Sequence, residues 1–203
     1  MQALGLTRLL GFYGALLSVA LLALWKTGHL SSVLPIGMPW SVTVRDIGLG
    51  LAAGVALMLI SRGLARWWRF AKALETELRT LVGGMTTSRA LLVALVSSLG
   101  EEALFRGVLL PAMGLMLSSA IFGLLHVGSQ GRFWVWSLLA FGAGALFGGL
   151  TLMTGTLLAA IVAHATVNFL NLRRLGSEEL CVVVELGPVG SERVVERQQE
   201  SPR

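Results

Sequence analysis

The stretch GEEALFRGVLLP, Gly100–Pro111, decides how the rest of the chain is read, because it sets two carboxylates and a guanidinium inside a run that is otherwise uncharged from Ala90 to Leu117. A charged side chain at the centre of a membrane helix costs roughly 2.5 to 3.5 kcal/mol, so Glu101, Glu102 and Arg106 need partners, water or a function to offset it. On a helix of 3.6 residues per turn, Glu102 and Arg106 stand four apart on one face, with the acid N-terminal to the base, and are expected to pair. Glu101 is turned by about 100° onto a neighbouring face and has no cation at that spacing. It is the carboxylate left over for chemistry.

Working outward, the flanking sequence is that of a bilayer protein. Of 203 residues, 55% are hydrophobic and only 13% charged, where soluble domains carry about a quarter charged residues. The mean hydropathy is +0.77. The net charge of +5 is uneven: residues 1–174 hold 13 Lys and Arg against 5 Asp and Glu, whereas 175–203 hold 3 against 6. The basic excess sits around the apolar segments, where cytoplasmic loops collect it. It does not read as a nucleic-acid surface, because it is not interleaved with soluble aromatic residues. The single cysteine, Cys181, excludes an internal disulfide framework and any multi-cysteine metal site.

The expected fold is all-α and polytopic, with about six transmembrane helices around a central polar cavity. Leu9–Trp25 is the first span. Arg8 ahead of it and Ser18, Val19 and Ala20 give it some likeness to a secretory signal, but its apolar character continues to Trp25, which suits a retained anchor. Thr27–Asp46, with Pro35, Gly37 and Pro39, reads as an irregular outer loop. Ile47–Ile60 is a second span, short unless Val42 and Val44 belong to it, closed by a basic aromatic collar from Arg62 to Lys72, and Leu64–Leu81 reads as an amphipathic surface helix or as part of a plain cytoplasmic helical hairpin. Gly83 and Gly84 interrupt the chain, and Thr86, Thr87 and Ser88 offer N-caps for a third span that carries both glutamates. Pro111 and Gly114 end or kink it. A short fourth span holds His126, Gly128–Arg132 is a turn, and Phe133–Leu152 is the fifth. Its Gly144 and Gly148 form a GxxxG, the packing motif a homodimer would use. Thr156–Leu172, the sixth, contains His164 and Asn168. Residues 1–174 thus form the membrane-embedded unit, with its motif-bearing core at 89–172, and 175–203 a cytoplasmic, mostly disordered tail in which only Leu180–Leu186 could be a strand. With six spans, the Lys and Arg bias puts both termini in the cytoplasm, and the expected location is a bacterial inner (plasma) membrane.

Two of the three histidines, His126 and His164, lie inside apolar helices, where an ionisable group is a functional candidate by default. A histidine there can also merely bond a neighbouring helix; two beside a Glu-Glu-Arg cluster make that reading less economical. His164 and Asn168 are four apart and can address one point in space, with amide and imidazole N–H groups suited to an oxyanion. A glutamate and a histidine close by would activate water. Ser97 and Ser98 do not read as nucleophiles, since a serine so placed bonds back to its own helix. Glu101, His126 and His164 could alternatively be three ligands to zinc, with water in the fourth position. Spacing does not separate the metal-free and zinc readings.

EEALFRG, Glu101–Gly107, resembles the EExxxR motif of the CAAX protease and bacteriocin-processing (CPBP) family of intramembrane endopeptidases, which includes the Ras-converting prenyl endopeptidase. Phe122–His126 is similar to that family's FxxxH and His164–Asn168 to its HxxxN, in the same order, within roughly Arg89–Leu172. The resemblance implies a CAAX-type metallo- or glutamate-dependent endopeptidase cutting a membrane-associated peptide or protein. It implies that Glu101 and His126 activate water, that His164 and Asn168 stabilise the tetrahedral intermediate, and that Glu102 and Arg106 support them. Two readings compete: a non-catalytic immunity or scaffolding protein of the same fold, motivated by the basic collar and tail, and a proton-coupled carrier, disfavoured because no inverted pair of interrupted helices is visible.

Overall fold

A computed structural model describes residues 3–30, 37–82, 84–126, 134–177, 181–186 and 192–197. Its helices are α1 (Ala3–Lys26), α2 (Trp40–Trp67), α3 (Arg69–Val82), α4 (Thr87–Glu102), a π-helical segment (Ala103–Leu109), α5 (Leu110–Leu124), α6 (Trp134–Thr154) and α7 (Leu158–Ser177). Among the described residues the long apolar segments are helical, and strand occurs only in the tail at Cys181–Leu186 and Glu192–Arg197. Four helical stretches are long and apolar enough to cross a membrane: Gly5–Lys26, Trp40–Trp67, Thr87–Leu124 and Trp134–Thr154. The third of these does not run straight. Gly114 has φ 80° and ψ 172°, a conformation only glycine takes readily. Phe105 and Phe122 then meet with ring centroids 4.9 Å apart, although 17 residues of straight helix would separate them by about 25 Å. Thr87–Met113 and Leu115–Leu124 are therefore two antiparallel arms, matching the third and fourth spans read from the sequence.

Several boundaries differ from expectation, each for a local reason. α2 begins at Trp40 rather than near Ile47, because Pro39 supplies the N-cap with its fixed φ of −55° and its carbonyl accepts from Val42 and Thr43. Asp46, expected at the loop edge, is fully buried inside this helix. The surface helix starts at Arg69, after Trp68 adopts extended backbone. Thr86 is the N-cap of α4, its hydroxyl accepting from the Arg89 amide at 3.4 Å. α7 continues through Arg173 and Arg174 to Ser177 instead of stopping at Leu172, since Leu175 is buried. In the tail, β1 (Cys181–Leu186) was foreseen, but it pairs antiparallel with β2 (Glu192–Arg197), where irregular chain was expected. The register sets Val183 opposite Val195 and Glu185 opposite Arg193. Pro35 of the expected outer loop and the turn Gly128–Arg132 lie outside the described residues.

Close helix contacts fix the site-bearing helices. α7 packs against α2 at Gly50 and Gly54, where a Cβ atom would come within 2.6 Å of the Ala159 and Ala163 carbonyls respectively. Small residues on both sides allow this approach. Ala159, Ala160 and Ala163 join Phe147 and Leu150 of α6 in the main apolar cluster. The GxxxG of α6 is spent inside the molecule: Gly144 lies against Ser119 and Phe122, and Gly148 against Leu115. That glycine face is covered by α5, so it is not available to a second copy. Asp46 ties the far end, accepting from Thr156 Oγ1 at 2.7 Å and from Arg45 Nε at 2.9 Å.

Candidate active site

The local sequence builds the acidic part of the site. Glu101 and Glu102 end α4, and the chain then widens into the π segment, closing with the Leu110 amide on the Phe105 carbonyl, five residues back. Such a bulge rotates following side chains relative to a regular helix and recurs at functional sites. Here it leaves Glu101, Glu102, Phe105 and Arg106 all buried. The expected i, i+4 pair is present: Arg106 Nη1 donates to Glu102 Oε1 at 2.9 Å. Arg106 Nη2 donates to the Gly144 carbonyl at 3.0 Å, and its guanidinium lies 4.6 Å from the centroid of Phe122 and 5.4 Å from that of Phe147. A charge so enclosed is held by one carboxylate, one carbonyl dipole and aromatic faces.

His164 joins this pair from 62 residues away. Its Nδ1 is 2.7 Å from Glu102 Oε1, and its Nε2 is 3.9 Å from Glu101 Oε2. Because the Glu102 carboxylate can only accept, Nδ1 carries a proton and donates it. The ring stacks on Phe147, with centroids 5.0 Å apart and planes 20° from parallel. Glu101 Oε2 itself is buried without a hydrogen-bond partner. A polar separation of 3.9 Å invites a bridging water.

His126 stands in the turn just past the C-terminal end of α5, its Nδ1 2.7 Å from the Phe122 carbonyl. A carbonyl also only accepts, so Nδ1–H is fixed and Nε2 is left as the free nitrogen. Phe122 lies between the imidazoles, its ring 4.6 Å from that of His126 and 6.0 Å from that of His164. His126, His164 and Asn168 line one cavity. Asn168 Nδ2 donates to Ser97 Oγ at 3.2 Å, and Ser97 in turn donates to the Ala94 carbonyl. Ser98 likewise bonds back to the Leu95 carbonyl.

Of the six residues singled out from the sequence, Glu102, Arg106 and His164 meet directly, Glu101 stands beside His164, and His126 and Asn168 share a cavity with His164. Among the described residues, no group of three His, Cys, Asp or Glu side chains lies close enough together to hold a metal ion. Three partners went unread. The Gly144 carbonyl carries no side-chain signal, Ser97 was visible only as a serine bonding its own helix, and the Tyr13 phenol of α1 reaches the Glu101 carboxylate from a span without any motif.

Comparison with known proteins finds one relation. Residues 83–170 match the family described as Type II CAAX prenyl endopeptidase Rce1-like. No curated protein and no solved structure matches the chain. With its apolar spanning helices, the chain is an integral membrane protein related at family level to CAAX-type intramembrane proteases. Residues 83–170, which hold Glu101, Glu102, Arg106, His126, His164 and Asn168, are thus the part of the chain that is similar to the Rce1-like type II CAAX prenyl endopeptidases.

Proposed function

We propose that the protein is an intramembrane endopeptidase that hydrolyses a peptide bond of a membrane-associated substrate with water activated by Glu101. The observation that carries this reading is the buried, unpartnered Oε2 of Glu101 standing 3.9 Å from His164 Nε2, while Nδ1 of the same imidazole is held by Glu102. Water between them gives a proton to Glu101, and its oxygen attacks the carbonyl carbon. His126, with Nδ1 committed to the Phe122 carbonyl, offers its Nε2 lone pair to the same water or to the proton in transit. The oxyanion is met by two groups one helical turn apart: the His164 imidazole, and the Asn168 N–H not used on Ser97. The C–N bond then breaks as the leaving amine takes the proton from Glu101. Glu102 and Arg106 keep His164 in place and touch no substrate. The basic loops favour a topology with both termini in the cytoplasm of a bacterium, the cavity opening toward that side.

Incubation of the purified protein in detergent with a fluorogenic peptide library tests the reading. Glu101→Gln and His164→Ala are expected to lose cleavage while keeping the parent's elution profile and melting curve, and a chelator is expected to leave the parent's rate unchanged. Cleavage by Glu101→Gln at the parental rate overturns the role of Glu101.

A further inference from the structure

The cavity does not end at the reacting groups. His164, Asn168, Asn171 and Arg174 follow one another along α7 at spacings of four, three and three residues, and all four line it. Ten residues of helix place Arg174 about 15 Å along the axis from His164, a distance an extended peptide covers in about four or five residues. At that far end Arg174 already grips a carboxylate. Its Nη1 and Nη2 donate to Glu75 Oε1 and Oε2 of α3 at 2.8 and 3.0 Å, a fork-to-fork arrangement. Glu75 has a second cation, accepting from Arg79 Nη2 at 2.7 Å.

The geometry points to Arg174 as the site that binds a substrate carboxylate four or five residues from the bond that is cut, with Glu75 as the internal group holding that place until substrate arrives. The exchange is balanced in charge. An incoming carboxylate takes the Arg174 fork, Glu75 keeps Arg79, and neither a bare cation nor a bare anion is left at the mouth. The Arg174 side chain is 23% exposed, so it is reachable without unfolding the helix. The Asn168 and Asn171 amides between the two ends offer donors and acceptors to a peptide backbone laid along α7. The carboxylate is either the substrate's own terminus or an acidic side chain, which share this chemistry. A pair that only pinned α3 to α7 would give the same distances but would not distinguish one peptide from another.

This inference rests on the peptidase reading, and the experiment separates the two. Three peptides of one sequence are compared: one with a free C-terminal carboxylate five residues past the cut, one amidated, and one amidated with Asp at that position. The parent is expected to show a KM roughly 10- to 100-fold lower for the free acid than for the amide, the range of a charge-assisted pair. In Arg174→Gln that ratio is expected to fall close to one. Recovery of low KM by the Asp peptide assigns the site to acidic side chains, and lack of recovery assigns it to the chain terminus. Should Arg174→Gln fail to fold, Glu75→Gln reports instead: removing the competing carboxylate lowers KM for the acid more than for the amide. Equal KM for acid and amide in the parent, or a preference that survives Arg174→Gln, overturns the Arg174 site alone. Equal cleavage by the parent and Glu101→Gln overturns the peptidase reading beneath it.

Discussion

Removing Glu102 tests the construction of the site most directly. Its side chain is fully buried, Arg106 is 4% exposed, and one carboxylate oxygen serves both Arg106 and His164. Glu102→Ala therefore leaves a guanidinium among Phe105, Phe122 and Phe147 that keeps, among the described residues, the Gly144 carbonyl as its hydrogen-bond acceptor but has lost its direct ion-pair partner. Breaking a buried pair from one side costs about 3 to 5 kcal/mol. At roughly 2 to 4 °C per kcal/mol for a chain of this size, Tm falls by about 6 to 20 °C. Arg106→Ala is expected to cost a similar amount, by stranding the carboxylate. The double variant strands neither ion, and what persists is the lost acceptor of His164 Nδ1, worth about 1 to 3 kcal/mol. It should thus be no worse than either single variant, a coupling of at least about 3 kcal/mol. Glu102→Gln, whose amide oxygen can still accept, should lie between the parent and Glu102→Ala. Thermal unfolding in detergent micelles, followed by tryptophan fluorescence, measures all four. A double variant whose loss equals the sum of the single losses would show that the two groups do not compensate each other, and the enclosed ion pair would cease to be the support of the site.

Other expectations follow from separate contacts. Asn168→Ala should lower kcat by about 10²- to 10³-fold with little change in KM, as for an oxyanion donor; a change confined to KM in steady-state kinetics would move Asn168 to ground-state binding. Gly54→Ala brings a methyl group to within 2.6 Å of the Ala163 carbonyl and should cost about 1 to 3 kcal/mol, whereas Gly142→Ala, with open space around it, should be near neutral; equal melting curves for the two would contradict the α2–α7 contact. Burial alone would raise the Glu75 carboxyl, but the Arg174 and Arg79 guanidinium groups outweigh it and hold the carboxyl below its ordinary value of 4.5. Its contribution to docking α3 is therefore complete above pH 4.5 and is lost as the pH falls through its lowered folded value. Limited proteolysis of α3 should accelerate in that acid range, and a rate independent of pH there would refute the clamp.

What could be read in advance was what depends on short range. The Glu102–Arg106 pair follows from one helical turn, and the break near Pro111 and Gly114 from two residues whose backbone preferences are strong. The capping threonine before Arg89 is equally local. The contact of His164 with Glu102 spans 62 residues, and no periodicity encodes it; it depends on α7 being pressed against α2 and α6 by glycine and alanine faces. The start of α2 was misplaced because Pro39 can end an irregular loop as readily as cap a helix, and the end of α7 because two arginines read as a membrane boundary although helical hydrogen bonding continues past them. Ser97 was legible as a serine bonding back, which it does, but its acceptance of the Asn168 amide depends on two helices meeting.

The tie between Asp46 and Thr156 and the glycine seam at Gly50 and Gly54 belong to α2, which lies wholly before residue 83. The wall that carries His164 and Asn168 therefore leans on a buttress outside the segment shared with relatives. Excising 83–170 as a minimal enzyme would expose the Ala159–Ala163 flank to lipid and free the α6–α7 corner from its anchor. Grafting or shortening the site would then have to carry the second span along, even though none of the candidate site residues sits on it.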